Sequence, residues 1–159
     1  MMRNFFIAIM VFAVSGLNAQ SYKADTDKTM IKWTGEKVTG KHWGHINLKS
    51  GDLTMNEGKI TGGTFVIDMS SIVNKDIEDD GYNKKLVGHL KSDDFFGVEK
   101  YPTAKLVITK ATAFKDNKAD VRGDLTIKEK TESILFTVTK DGDKYTAKIV
   151  VDRSKFDVK

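Results

Sequence analysis

The feature that most constrains this fold is an alternation of apolar and polar residues with period two, which begins at Thr29 and continues through most of the chain. Ile31 and Trp33 share one face of such a segment, and Lys32 and Thr34 share the other. Successive side chains of a β-strand point to opposite faces of the sheet. The pattern therefore predicts strands with one dry face and one face in water.

The same alternation recurs in later segments. Their inward apolar residues are Phe65, Ile67 and Met69; Leu106 and Ile108; Leu125 and Ile127; Ile134, Phe136 and Val138; and Tyr145, Ala147, Ile149 and Val151. Turn-forming residues separate the segments at 56–58, 116–117 and 141–143. Seven or eight strands joined mainly by short turns predict an antiparallel barrel or sandwich. Gly62 and Gly63 favour the barrel, because glycine within a long strand permits the coiling that closure requires.

One segment departs from this period and predicts a single short helix from Tyr82 to Leu90. Leu86 and Leu90 are spaced i, i+4, and with Tyr82 they form one apolar face. Asp79 and Asp80 suit the helix N-terminus. Ser92, Asp93 and Asp94 end the helix, and the pair Phe95 and Phe96 follows, where it could cover the mouth of a barrel.

The N-terminal sequence and the composition limit the classes of protein to which this chain can belong. Arg3 precedes an apolar run from Phe5 to Val14, which predicts a secretory signal peptide at residues 1–19, a single domain at 20–159, and export to the periplasm or cell exterior. The run is too short to span a bilayer, so no transmembrane segment is expected in the mature chain. The formal charge is +4, carried mostly by scattered lysines, and we expect no nucleic-acid binding.

No residue pattern predicts catalysis or a metal site. His42 and His45 are spaced H-x-x-H, but residues i and i+3 point to opposite faces of a strand. Asp93 and Asp94 are better explained as a helix stop than as a catalytic pair. Two interpretations of Arg153 stay open, a local turn or ion pair and an anchor for an anionic head group. The inward apolar residues could equally fill the barrel or enclose a lipid tail.

Four blocks of sequence resemble the YceI family of secreted, lipocalin-like proteins. The blocks are Lys37 to Ile46, His89 to Pro102, Gly123 to Thr131 and Asp152 to Phe156. The second block is the most specific, because a helix end, acidic residues, phenylalanine and Tyr-Pro follow in order. The resemblance implies an all-β, antiparallel eight-stranded barrel with one short helix and a long apolar cavity. Family members continue beyond the last block, so the resemblance also implies that the final strand is missing at the C-terminus.

The resemblance implies binding of a long-chain lipid rather than enzymatic activity, and some members of the family are dimeric. Expected ligands are isoprenoid quinones, prenyl phosphates and fatty-acid-like lipids, with no cofactor. By position, the residues expected to line or cover the cavity are Trp33, His45, Phe65, Ile67, Leu86, Leu90, Phe95, Phe96, Leu106, Ile108 and Phe136. The alternatives are a filled barrel that serves as an envelope-stress or protein-interaction module, and a barrel hydrolase or isomerase using His45 or Asp94.

Overall fold

A computed structural model describes residues 19–37 and 40–158 of the chain. The predicted signal peptide at residues 1–19 lies, except for Ala19, outside the described residues. The elements are β1 (Gln20–Lys23), β2 (Ile31–Lys37), β3 (Gly40–Asn56), β4 (Lys59–Asn74), α1 (Asp80–Lys91), β5 (Thr103–Ala111), β6 (Lys118–Ile127), β7 (Lys130–Asp141), β8 (Lys144–Ala147) and a 3-10 helix (Arg153–Phe156).

The eight strands form one antiparallel sheet in the order β1-β3-β4-β5-β6-β7-β8. Strand β2 pairs with the first part of β3, at Gly40–Ile46, and β1 pairs with its last part, at Asp52–Met55. The sheet curls into a half-barrel with α1 packed on β4. The predicted all-β antiparallel fold with one short helix is confirmed.

The curl of the sheet arises where strand register is interrupted. The pairing of β3 with β4 shifts at three places, and that of β5 with β6 shifts after Ile108. Such bulges increase the local twist and bend the strand that carries them. The two long strands β3 and β4 therefore wrap around the apolar side chains of one face instead of lying flat.

The predicted turns are confirmed by their backbone geometry. Glu57 and Gly58 have φ of 50° and 74°, Asp116 and Asn117 have φ of 50° and 61°, and Gly142 has φ of 57°. Positive φ at such positions is the geometry of tight hairpins that match the twist of the flanking strands. The local turn residues thus set which strands become neighbours.

Two details differ from the sequence prediction. Strand β8 ends at Ala147, and Val151 is 39% exposed instead of continuing the inward row. The reason is pairing, because β8 forms backbone pairs only with Val138–Asp141 of β7 and lies at the edge of the described sheet. Helix α1 buries Leu90 in its last turn, but Tyr82 in its first turn is 69% exposed, so the apolar face does not extend to the start of the helix.

A polar network ties the start of α1 to the ends of β3 and β4. Asp76 accepts hydrogen bonds from the Trp43 backbone N–H at 2.8 Å and from Asn74 Nδ2 at 2.6 Å, and its Oδ2 lies 2.8 Å from His42 Nδ1. Asn83 of α1 donates to the carbonyl oxygen of Ile77 at 2.9 Å. Burial alone would raise the pKa of Asp76, but the hydrogen bonds from Trp43, His42 and Asn74 outweigh it and lower that pKa to about 2.

The lowered pKa predicts a stability contribution that depends on pH. The carboxylate of Asp76 stabilises the fold above the unfolded pKa of 3.8, and this contribution is lost as pH falls towards about 2. We expect Asp76→Asn to lower the free energy of unfolding at neutral pH by about 1 kcal/mol, after allowance for solvent screening, and by less near pH 2. Urea unfolding at several pH values measures the difference. Asp143→Asn, in the exposed β7–β8 turn, is the control, and a loss independent of pH would contradict the prediction.

Close backbone packing at Gly44 predicts a second stability effect. A Cβ there would lie 1.8 Å from the Val73 carbonyl oxygen and 2.8 Å from Trp33 Nε1, which donates to that same oxygen at 3.0 Å. We expect Gly44→Ala to lower the free energy of unfolding by about 3 kcal/mol, because β3 and β4 must separate. At Gly62 the nearest atom is 4.0 Å away, on Thr54. Gly62→Ala should change the value by less than about 1 kcal/mol, and equal midpoints in urea for the two variants would refute this explanation.

Candidate ligand-binding site

The inner face of the curled sheet carries two apolar clusters. The helix cluster lies beside α1, and its buried members are Ile46, Met69, Ile72, Leu90, Val98 and Ala104. The buried members of the strand cluster are Leu53, Met55, Ile60, Leu106, Ile108, Ala111, Val121, Leu125, Phe136, Val138, Phe156 and Val158. Phe95, Phe96 and Ile127 pack against both clusters. The apolar interior is therefore continuous from the helix to the far strands.

Phe95 and Phe96 are positioned by the way α1 ends. The N–H of Phe96 donates to the Leu90 carbonyl oxygen at 3.2 Å, and the N–H of Gly97, at φ 55°, donates to Ser92 at 2.7 Å. The two rings meet edge to face, with centroids 4.8 Å apart. This is a favoured aromatic geometry. The helix exit thus holds a half-buried aromatic pair over the junction of the two clusters.

Segment 152–158 contributes two buried side chains to the strand cluster. Asp152 begins it by accepting hydrogen bonds from the N–H and hydroxyl of Ser154, at 3.1 and 2.6 Å, and these bonds lower the pKa of Asp152. Phe156 and Val158 are 1% and 2% exposed. Their side chains fill one end of the concave face.

Charged residues surround this end of the interior. Lys128 Nζ donates to the Asp157 carbonyl oxygen at 3.1 Å, and Lys130 Nζ lies 3.4 Å from the Asp157 carboxylate. The guanidinium carbon of Arg153 lies 5.3 Å from the centroid of the Phe95 ring. The boundary between the apolar interior and water is thus marked by basic side chains.

The structure brings together all of the predicted lining residues except His45. Leu106, Ile108 and Phe136 are buried in the strand cluster and Leu90 in the helix cluster. Phe65 packs against the strand cluster and lies directly opposite Leu106 in the β4–β5 register. The other members, which pack against the helix cluster, are Trp33, Ile67 and Leu86, together with the shared pair Phe95 and Phe96.

His45 lies on the outer face of β3. Trp33 is opposite Gly44, and Lys32 is opposite His45, so the even-numbered residues of β3 point inward here. The His45 ring contacts Trp43, at 5.8 Å between centroids, over which the ammonium of Lys32 lies at 4.2 Å. The side chain of His45 is therefore not among the residues that line the interior.

The sequence pattern does not predict the burial of Phe156 and Val158. Phe156 is the last residue of the 3-10 helix and Val158 follows it, so neither lies in a strand and period-two alternation gives no signal for them. The signal that the sequence does carry is the pair Asp152 and Ser154, whose spacing is typical of a local cap. That cap turns the chain so that Phe156 points into the cluster.

The chemistry available on the concave face is apolar contact. Phe65, Ile67, Phe95, Phe96 and Ile127 are only partly buried and retain accessible surface. An open groove of about 680 Å³ at the edge formed by β6, β7 and β8 also reaches Phe136. Such a surface can bind an apolar chain.

Among residues 19–37 and 40–158, no group of three or more His, Cys, Asp or Glu side chains could hold a metal ion. Within the same ranges, none of the helices has the length and apolar character required to cross a membrane.

Comparison with known proteins gives the family of the chain. A 55-residue stretch is 44% identical to a UPF0312 protein of Pseudomonas putida and 42% identical to one of Pseudomonas syringae; it covers 35% of this chain and 29% of either relative. BcnA of Burkholderia cenocepacia is 24% identical over 82% of this chain and 70% of that one, with a TM-score of 0.49.

A mutant YceI protein of Campylobacter jejuni is 17% identical to this chain, and the match covers 98% of this chain and 80% of that one with a TM-score of 0.52, so the two share the fold. The model of the YceI-like domain matches residues 22–159. The chain therefore belongs to the YceI-like domain family.

Proposed function

We propose that this protein binds a long-chain isoprenoid or acyl lipid on the concave side of the half-barrel and acts as a carrier without catalysing a reaction. The observation that supports this most is the row of partly buried apolar side chains that joins the two clusters. Phe65, Ile67, Phe95, Phe96 and Ile127 belong to it. A slender apolar chain is the ligand whose shape and chemistry fit such a row. Membership of the YceI-like family supports the same ligand class.

The driving force would be the removal of apolar surface from water. Burial contributes roughly 25 cal/mol per Å², or about 0.8 kcal/mol per methylene, so a long tail needs few polar contacts. Ring faces such as those of Phe95 and Phe96 add contact area without losing much conformational freedom. Affinity would then increase with tail length until the interior is filled.

Export of the protein is part of this proposal. The apolar run from Phe5 to Val14 after Arg3 supports it, because the mature domain would then reach the periplasm or the cell exterior. A carrier outside the cytoplasm would have direct access to lipids at membrane surfaces. N-terminal sequencing of the protein recovered from outside the cytoplasm tests the export step. A chain that begins at Gln20 would support it, and a chain that still begins at Met1 would contradict cleavage after residue 19.

A filled half-barrel that serves as an interaction module is the second candidate. The burial of Phe156 and Val158 favours it, because these side chains already occupy part of the concave face. Organic extraction of the purified protein followed by mass spectrometry distinguishes the two. Co-purified isoprenoid or acyl lipid supports the carrier, whereas a lipid-free extract together with no binding of prenyl quinones or fatty acids would leave the filled module.

A pair of matched substitutions tests where the lipid binds. We expect Ile67→Asn to weaken binding of dodecanoate about tenfold, because an amide on the concave face must lose water when the tail is bound. Leu135→Asn makes the same kind of change on the outer face, where Leu135 is 68% exposed, and should alter binding less than about twofold. Isothermal titration calorimetry gives both affinities, and circular dichroism checks that both variants are folded. Equal losses in the two variants would contradict a concave site.

A further inference from the structure

We propose that Arg153 forms a head-group subsite at the mouth of the interior and selects amphiphiles with an anionic head group, a carboxylate or a phosphate, over neutral ones. The proposal rests on the proposed function, because the tail must bind on the concave side. It adds a residue and a ligand charge that the apolar lining alone does not specify.

The side chain of Arg153 lies over the ring of Phe95. The guanidinium carbon lies 5.3 Å from the centroid of the Phe95 ring, and this ring packs against both apolar clusters. A cation over an aromatic face is stabilised by the ring quadrupole. Arg153 itself is exposed. Its charge is therefore held at the boundary where a bound tail would meet water.

The guanidinium of Arg153 is also available to bind an anion. Within the described part of the chain, no carboxylate lies within 4.0 Å of it, whereas Lys130 is paired with Asp157 and Lys155 with Glu132. The adjacent Asp152 accepts hydrogen bonds from the N–H and the hydroxyl of Ser154 through its Oδ1 atom. The carboxylate of Asp152 thus caps the 3-10 helix, and within the described residues it forms no ion pair with Arg153.

The backbone of Arg153 is held in place by the residues that follow it. Phe156 is 1% exposed in the strand cluster, and the N–H of Val158 donates to the Arg153 carbonyl oxygen at 3.3 Å. The ring of His89 also approaches Phe95, with centroids 5.3 Å apart, so two nitrogen-bearing side chains flank this aromatic. A guanidinium presents donors in a planar fork that matches carboxylate and phosphate oxygens in a bidentate manner. A pre-positioned arginine at this boundary is suited to an anionic head group.

The experiment compares three ligands with one tail length, namely dodecanoate, dodecyl phosphate and dodecanol, each below its micelle concentration. Calorimetry gives their affinities for the unaltered protein, for Arg153→Gln and for Arg122→Gln. Arg122 is the matched control, an exposed arginine on β6 that contacts Ser133 at 3.5 Å. Dodecanol reports on the integrity of the tail site in every variant.

We expect the unaltered protein to prefer both anionic ligands to dodecanol by about tenfold, and Arg153→Gln to reduce this preference to within about twofold while dodecanol affinity is kept. Arg122→Gln should leave the preference intact. The inference is overturned if Arg153→Gln keeps the preference, if both variants lose it equally, or if millimolar inorganic phosphate displaces dodecyl phosphate, which would indicate a free-anion site. Failure of all three ligands to bind the unaltered protein would instead refute the proposed function, and the inference with it.

Discussion

The edge-to-face contact between Phe95 and Phe96 is the interaction on which the interior of this protein depends. It lies where the helix cluster and the strand cluster meet, and both rings pack against both clusters. The rings are held by hydrogen bonds to the end of α1, so the helix and the distant strands share one apolar interior. An aromatic pair suits this place because its rings offer large contact areas at fixed angles. Strands alone would leave the interior open on the helix side.

Much of the fold could be predicted from local patterns because those patterns act through local geometry. Period two assigns Trp33 and Ile67 to the inner face, and the positive φ of Asp116 and Asn117 matches their identities as turn residues. The end of β8 could not be predicted. A strand persists only where a neighbour accepts its hydrogen bonds, and within the described residues β8 pairs solely with the last residues of β7. Pairing is a property of the whole sheet and leaves no trace in the sequence of one segment.

The candidate site was predictable in its strands and less so elsewhere. His45 illustrates one limit, because which residues of β3 face inward is set by the pairing of Trp33 with Gly44 and not by the composition of the segment. Phe156 illustrates another, since it reaches the strand cluster as the last residue of a capped 3-10 helix, to which the period of a strand does not apply. Both cases depend on contacts between residues far apart in sequence. The inner face itself followed from the alternation because each strand must bury one side.

Under the proposed function, the distribution of charge divides two tasks that a lipid carrier must perform. The concave face carries apolar side chains, and their contacts give affinity that grows with buried area and discriminates weakly between head groups. Selectivity between head groups therefore has to come from the rim of the interior, where a charged side chain can contact the head group of a lipid whose tail is already bound. Arg153 meets this condition because Phe95 holds it beside the interior while the guanidinium stays exposed to water. A charge placed deeper would lose hydration that the tail could not replace, and one placed further out would be screened by salt. The boundary position would allow a single arginine to discriminate between ligands without destabilising the apolar interior proposed to bind them.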